Sequence, residues 1–391
     1  MAVIKRVRLS EIAELVTKGT TPTTLGYEFQ DTGVNFLKIE CFSEKGDYIQ
    51  NKATHISEEC HEKLKRSQLK EGDILFSIAG VIGRVAIVTR NMLPANINQA
   101  LAIIRIKKDD IYLPYVKLIL TSPLIKKQFE RKKQGVAQLN ISLKDINDLE
   151  IPLPEIGKQI EYANSFKKVE KLIYTRQYQL QKLDELVKAR FVELFGDPIS
   201  NPNGWKTEKA EMYIDLCSGF PFDSSQYTES GVNICGGLII MPQRIEWNDC
   251  KHWCSTEGYE EYTLKKNDIV IALDRPWISE GFKIAMVDTE HLPALLIQRT
   301  VRIRAIDINQ FYLMYCFLLG GFDNHCNVTG SLVPHISAKD IRSFPIMLPP
   351  MGLQEQFAAF VEQVNKSKVA VQKSLDEAQL LFDSLMQQYF G

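Results

Sequence analysis

The chain writes one segment twice. Residues 141–154 read ISLKDINDLEIPLP, and residues 336–349 read ISAKDIRSFPIMLP, identical at eight of fourteen positions. The correspondence extends outward in order. LKEGDILFSIAG (69–80) returns as LKKNDIVIALDR (264–275), and LPANINQALAIIRI (93–106) as LPALLIQRTVRIRA (292–305), with Gln99 facing Gln298. YLPY (112–115) aligns with YLMY (312–315), GKQIEYANSFKKVEKL with the segment from Gly352, and each half closes on Phe-Gly, at 195–196 and 390–391. A period near 195 residues is far longer than a solenoid unit. Each copy is therefore a whole folding unit, and 391 residues suit two to three domains.

Within a copy, the first part is β-rich. GDILFSIAG and GRVAIVTR read as strands joined by glycine turns, as do NDIVIAL and FKIAMVD. YLPYVKLILTSPLIKKQFERKK reads as helix, and LEIPLP and FPIMLP as final strands closed by proline. The second part is helical. Phe166, Val169, Ile173, Leu180, Leu183 and Val187 form a 3-4 stripe, matched by Val364, Val371, Leu375, Phe382 and Leu385. These residues predict a seam between two helices packed antiparallel as a coiled coil. The reading is α+β: a first β-rich domain (1–155), a helix (156–196), a linker (197–204), a second β-rich domain (205–350) and a second helix (351–391).

Composition narrows the function. With 45% hydrophobic and 24% charged residues the chain reads as globular, and no apolar run suits a membrane span. The start lacks an apolar export segment, and eight irregularly spaced cysteines do not form a disulfide framework, so a cytoplasmic protein with free thiols is expected. Residues 1–155 carry 23 Lys/Arg against 19 Asp/Glu, whereas 205–350 carry 13 against 18, so charge alone does not suggest nucleic acid. There is no phosphate-binding Gly-rich loop, no Asn-Pro-Pro-aromatic segment, no nucleophile elbow and no His-Glu-x-x-His pair. CKHWC (Cys250, His252, Cys254) lacks a second tight pair and reads as ordinary thiols, not a zinc site. The chain reads as non-catalytic and metal-free.

Two β-rich domains, each followed by a long helix, with the ordered set LSEIAELVTKGTTP (9–22), L--GDIL (69–75), IS-K-D-I, LP and LDELVKARFVELFGD (183–197), resemble the specificity subunits of type I restriction–modification systems. The resemblance covers essentially the whole chain. It implies two target recognition domains that each read half of a bipartite, asymmetric site on double-stranded DNA. It also implies a helical spacer that docks two methyltransferase (modification) subunits, with restriction subunits as further partners. No cofactor is expected in this chain; S-adenosylmethionine, ATP and magnesium belong to the partners. A scaffold with two protein-binding domains and no role on DNA is the alternative.

Base edges and phosphates are read by Arg, Asn, Gln, Lys, Ser and Thr. In the first copy the candidates on three loops are Lys18, Thr20, Thr21, Arg84, Lys132, Lys133, Gln138 and Asn140. In the second they are Ser218, Arg275, Trp277, Lys283, Asn327 and Ser331. Competing structural roles are expected for several: a solvated helix face around Lys132, a shared hydrogen bond for Gln99 and Gln298, a packing anchor for Trp277. The second domain is acidic, so its cations Arg275, Lys283, Arg299, Arg302 and Arg304 would have to gather on one face for it to bind DNA.

Overall fold

A computed structural model describes residues 5–107, 110–131, 140–330 and 333–390. The chain forms two compact units, 1–176 with 374–391, and 177–373. In the first, a four-stranded antiparallel sheet runs in the order Ala13–Lys18, Leu101–Ile106, Ile74–Ser77, Val85–Ile87. A second sheet places Val34–Leu37 between Thr54–Ile56, antiparallel, and Ala95–Ile97, parallel. The other unit repeats both sheets. Ile214–Ser218, Thr300–Ala305, Ile269–Ala272 and Ile284–Met286 form the larger, and Val232–Cys235 lies between Lys251–Trp253 and Ala294–Leu296 in the smaller. The strands Ile74–Ser77 and Ile269–Ala272 are buried along their whole length, which is why they are continuous apolar runs and not alternating ones.

The same aspartate fastens this central strand in both copies. Asp73 accepts the Lys70 amide (2.7 Å) and takes a bidentate pair of bonds from Arg105, both 2.7 Å. Asp268 accepts the Lys265 amide (2.7 Å) and holds Arg304 at 2.6 and 2.8 Å. The aspartates are 1% and 3% exposed, so each charge-assisted fork works inside the fold.

The segment written twice is a joint. Ser142 and Asp145 form a reciprocal capping box on the short helix Leu143–Asn147, and Ser337 and Asp340 do so on Ala338–Ser343. Just before each cap, the Ile141 amide donates to the Ile78 carbonyl and the Ile336 amide to Leu273, both at 3.0 Å. The following strands, Glu150–Pro152 and Pro345–Met347, pair antiparallel with Arg6–Arg8 and Thr207–Lys209, tying the end of each domain to its beginning. The long helices Ile156–Phe195 and Met351–Phe390 begin immediately afterwards. A buried glutamine in the first turn holds each one. Gln159 accepts the Tyr112 amide (2.9 Å) and donates to the Pro154 carbonyl (2.8 Å). Gln354 accepts the Asn309 amide (2.9 Å) and donates to Pro349 (2.8 Å).

These contacts correct one alignment made from sequence. Tyr115 donates its hydroxyl to the Pro152 carbonyl, and the residue making the matching bond, to Met347, is Tyr312. YLPY therefore corresponds to residues 309–312, one helical turn before YLMY.

The long helices pack antiparallel within each unit. In the first, Tyr162 meets Tyr389 (4.3 Å between rings), Phe166 meets Phe382 (5.3 Å), and Arg176 donates to Ser374 (3.0 Å). In the second, Lys368 pairs with Asp184, and Phe191 meets Phe357 (5.4 Å). Among the expected seam residues Phe166, Val169, Ile173, Val187 and Val364 are buried, while Leu180, Leu183, Val371, Leu375, Phe382 and Leu385 are half-buried. Heptad spacing missed four buried residues near the C-terminal ends of the helices. Phe191 and Phe195 enter the core around Tyr312, and Met386 and Phe390 enter the core around Tyr115.

Two substitutions test this packing. Val187 is 0% exposed, so Val187→Asp should cost about 3 kcal/mol or more in urea unfolding, whereas Leu380→Asp, at a 69% exposed position, should cost under about 1 kcal/mol. Equal midpoints would contradict the seam. Asp268→Ala should cost about 3 kcal/mol by stranding Arg304, and Asp268→Ala with Arg304→Met should recover most of it.

Candidate nucleic-acid interface

The first candidate loop leaves the larger sheet at the end of Ala13–Lys18. Lys18 and Thr20 are exposed and Thr21 is half-buried. The glycine between them, shared by TKGTTP and CSGFPF, is demanded by a close approach. A Cβ on Gly19 would lie 1.9 Å from the Ile97 carbonyl oxygen, and one on Gly219 1.9 Å from that of Ile297. The Thr21 hydroxyl donates to the Gln99 side-chain oxygen, so Gln99 braces this loop while remaining at the surface.

Arg84, on the second loop, is turned inward. Its Nη1 donates to the Phe42 carbonyl (2.8 Å) and to that of Ile39 (3.3 Å), so it fastens a neighbouring loop. Of the third loop, Asn140 is exposed at its end, while Lys132, Lys133 and Gln138 lie outside the described residues.

In the second unit Ser218 takes the place of Lys18, exposed at the end of its strand. Arg275 is exposed and held in the left-handed region at φ 45°, its amide donating to the Pro334 carbonyl (2.7 Å). Arg299, one of the cations expected to gather on one face, adopts φ 66° and reaches Asp274 at 3.3 Å with 67% of its side chain exposed. His335 closes the group, bonded to the Thr329 hydroxyl at 2.6 Å. The fold thus gathers Asp274, Arg275, Arg299, Thr329 and His335 from three separate segments. Non-glycine residues rarely adopt positive φ, and two arginines doing so side by side mark a surface with demanding geometry.

Other candidates serve the interior. Lys283 is 6% exposed and donates its ammonium to the Gly237 carbonyl. Burial pushes its pKa below the ordinary lysine value, and Arg275 adds to this while Asp274 opposes it. Trp277 is half-buried and stacks on Phe282 at 5.1 Å, a packing anchor. Arg302 and Arg304 are held by Asp215 and Asp268. Asn327 is exposed, with its amide donating to Asp340 (3.2 Å), and Ser331 lies outside the described residues.

Cys250 donates to the Asn233 side-chain oxygen at 3.3 Å and sits 3.8 Å from His252, while Cys254 is exposed. Among the described residues no cluster of His, Cys, Asp or Glu could hold a metal ion, and no helix is long and apolar enough to cross a membrane.

Known proteins share this organisation. The chain is 28% identical over 228 residues to the EcoAI specificity subunit of Escherichia coli, covering 55% of this chain and 38% of that one. It is 26% identical over 275 residues to the MjaVIII specificity subunit of Methanocaldococcus jannaschii, covering 66% and 64%. The matched stretches span less than two thirds of either relative. Among solved structures, the type I restriction–modification S subunit from M. genitalium superposes with a TM-score of 0.58 at 13% identity, covering 100% of this chain and 97% of that one. A chain from a structure concerned with assembly and conformational transition of the type I R-M system also gives 0.58, at 18% identity and 99% and 97% coverage. At such identities the likeness is one of fold. The family model for the type I restriction modification DNA specificity domain matches residues 3–185 and 254–378, so it falls on both copies and takes in most of the chain. Doubled sheets, doubled capping boxes and a doubled family match agree: this chain belongs to the type I restriction–modification DNA specificity family.

Proposed function

We propose that this chain is the DNA-reading subunit of a type I restriction–modification complex, each unit contacting one half of a bipartite, asymmetric site. One observation carries the reading. The two units keep the same sheets, aspartate forks and helix joints, but differ at the candidate contact positions. Lys18 stands opposite Ser218 in register, and where the second unit has Asp274, Arg275, Arg299 and His335 the first has Ala79, Gly80, Ala100 and Asn140. Constant scaffold with variable loops is what two independent readers require.

In this reading Lys18, Thr20, Asn140, Ser218, Arg275, Arg299 and Asn327 are the surface groups available to bases and phosphates. The antiparallel helices would set the spacing between half-sites and dock two modification subunits. Those partners would bring S-adenosylmethionine and the pocket for an extruded adenine, with restriction subunits, where present, adding ATP-driven cleavage. The chain itself would do no chemistry and would act in the cytoplasm.

The purified chain should neither methylate nor cut DNA, and should bind duplex weakly and with strong salt dependence; adding the modification subunit should restore specific binding and methyl transfer. Methyl transfer by the chain alone would refute the proposal. Exchanging residues 205–350 for those of a relative should change one half of the methylated sequence, read by methylation mapping. Altered specificity in both halves, or in neither, would exclude independent readers. Arg275→Ala should weaken binding by about tenfold, within the range of one lost charged contact, without lowering the unfolding midpoint.

A further inference from the structure

Between the strand Ala13–Lys18 and the single-turn 3-10 helix Lys65–Ser67, the first unit carries a cleft of about 170 Å³. Thr17, Lys65, Arg66, Gln68 and Arg105 line it. Two of these groups are already engaged. Arg105 is neutralised by Asp73, and the Gln68 amide donates to the His61 carbonyl at 2.9 Å. Lys65 and Arg66 are exposed, and among the described residues neither has a carboxylate partner. Thr17 is 3% exposed, and its hydroxyl has no hydrogen-bond partner in the fold. The cleft therefore carries two uncommitted cations and borders an uncommitted hydroxyl.

The second unit builds the same place with the opposite charge. Register identifies the counterparts. Thr17 pairs with Ile103 on the strand carrying Arg105, as Cys217 pairs with Arg302 on the strand carrying Arg304. Arg105 also donates to the Gln68 carbonyl (3.4 Å), as Arg304 does to Thr263 (3.2 Å). Glu260–Tyr262 is thus the counterpart of Lys65–Ser67, and Glu260 and Glu261 stand where the first unit has Lys65 and Arg66. Asp215 replaces Leu15. The two cations become Glu260 and Glu261, while Asp215 is paired with Arg302, which stands where the first unit has Ile103.

We propose that the cleft at Thr17, Lys65 and Arg66 is a phosphate-binding site belonging to the first unit alone. Two neighbouring cations suit a tetrahedral oxyanion, which accepts from several donors at once. The volume admits a phosphate group and a few waters and falls below the roughly 300 Å³ of organic-ligand pockets. The strand that floors the cleft continues into Lys18 and the loop assigned above to DNA, so a backbone phosphodiester is one source of the group. Free phosphate is the other.

The full chain and its Lys65→Glu, Arg66→Glu double variant, which copies the charges of the second unit at two exposed positions, separate these cases. Thermal unfolding in about 20 mM inorganic phosphate, against chloride at equal ionic strength, should raise the wild-type midpoint by about 2 °C and leave the variant unmoved. The two proteins should melt together in chloride, so misfolding cannot account for the loss. Duplex binding is then measured with the modification subunit present; this arm rests on the DNA-reading proposal, whereas the phosphate arm does not. If the site holds a backbone phosphate, the slope of log affinity against log salt should fall by about 2 in the variant, for every sequence alike. A phosphate response with an unchanged slope assigns the site to free phosphate. Absence of a wild-type response to phosphate overturns the proposal, even if the slope changes, because a diffuse basic surface would then account for it. Failure of the wild-type complex to bind any duplex would count against the DNA reading and leave the phosphate result standing.

Discussion

The fold of each copy depends on the joint between its β-rich domain and its long helix, and that joint turns on a buried primary amide. Gln159 and Gln354 are 1% and 3% exposed, and each bonds both its own helix entry and the first turn of a helix in the preceding domain. A net contribution near 1 kcal/mol per bond understates such a group, because removing it would leave two buried backbone groups without partners. The capping box, the strand pairing back to the start of the domain and the glutamine act in sequence over about twenty residues. None can shift without breaking the next. Stiffness of this kind fixes where a loop stands relative to a helix, a requirement that hydrophobic burial alone, being non-directional, does not meet.

The central strands and the antiparallel helices were legible in the sequence because each is governed by local rules: a continuous apolar run, a 3-4 repeat. What was not legible depended on tertiary context. The YLPY and YLMY segments align by eye, yet a tyrosine at position i and one at i+3 look alike along a helix, and only the bond to a distant carbonyl decides between Tyr312 and Tyr315. Phe191 and Phe195 escaped the heptad reading because the last turns of that helix pack against a domain core as well as against Phe357 of the other helix.

The site was harder to read than the fold. Lys283 sits between Phe282 and Ile284 and reads as a surface lysine, but its ammonium is spent on the Gly237 carbonyl beneath the surface. Arg84 likewise serves a loop and not the exterior. Lys65 and Arg66 carry no motif, and their meaning emerged only when strand register set them against Glu260 and Glu261. Charge type can be read from a chain, but charge availability cannot. Availability depends on whether a carboxylate or carbonyl has been folded within reach.

That distinction recasts the acidity of the second half. Of its five cations considered for DNA, Lys283, Arg302 and Arg304 are consumed internally, leaving Arg275 and Arg299, the latter shared with Asp274. Two exposed guanidiniums supply at most two phosphate contacts, a small fraction of the six to ten or so that give a DNA-binding protein its usual salt-sensitive affinity. The surface around Asp274 thus offers few free cations for holding a duplex by its backbone, although Lys251, Lys265, Lys266, Lys339 and Arg342 are also exposed in this unit. It is well suited to discriminating among bases when something else does the holding, because a non-specific background is then kept low. The strained backbone at Arg275 and Arg299 fits that role, since orientation matters for reading a base edge far more than for attracting a phosphate. The first unit, with Lys18 and the uncommitted Lys65 and Arg66, is built the other way. Under the proposals above, the two copies therefore differ in kind: the first offers Lys65 and Arg66 for attraction, and the second holds Arg275 and Arg299 in a demanding geometry.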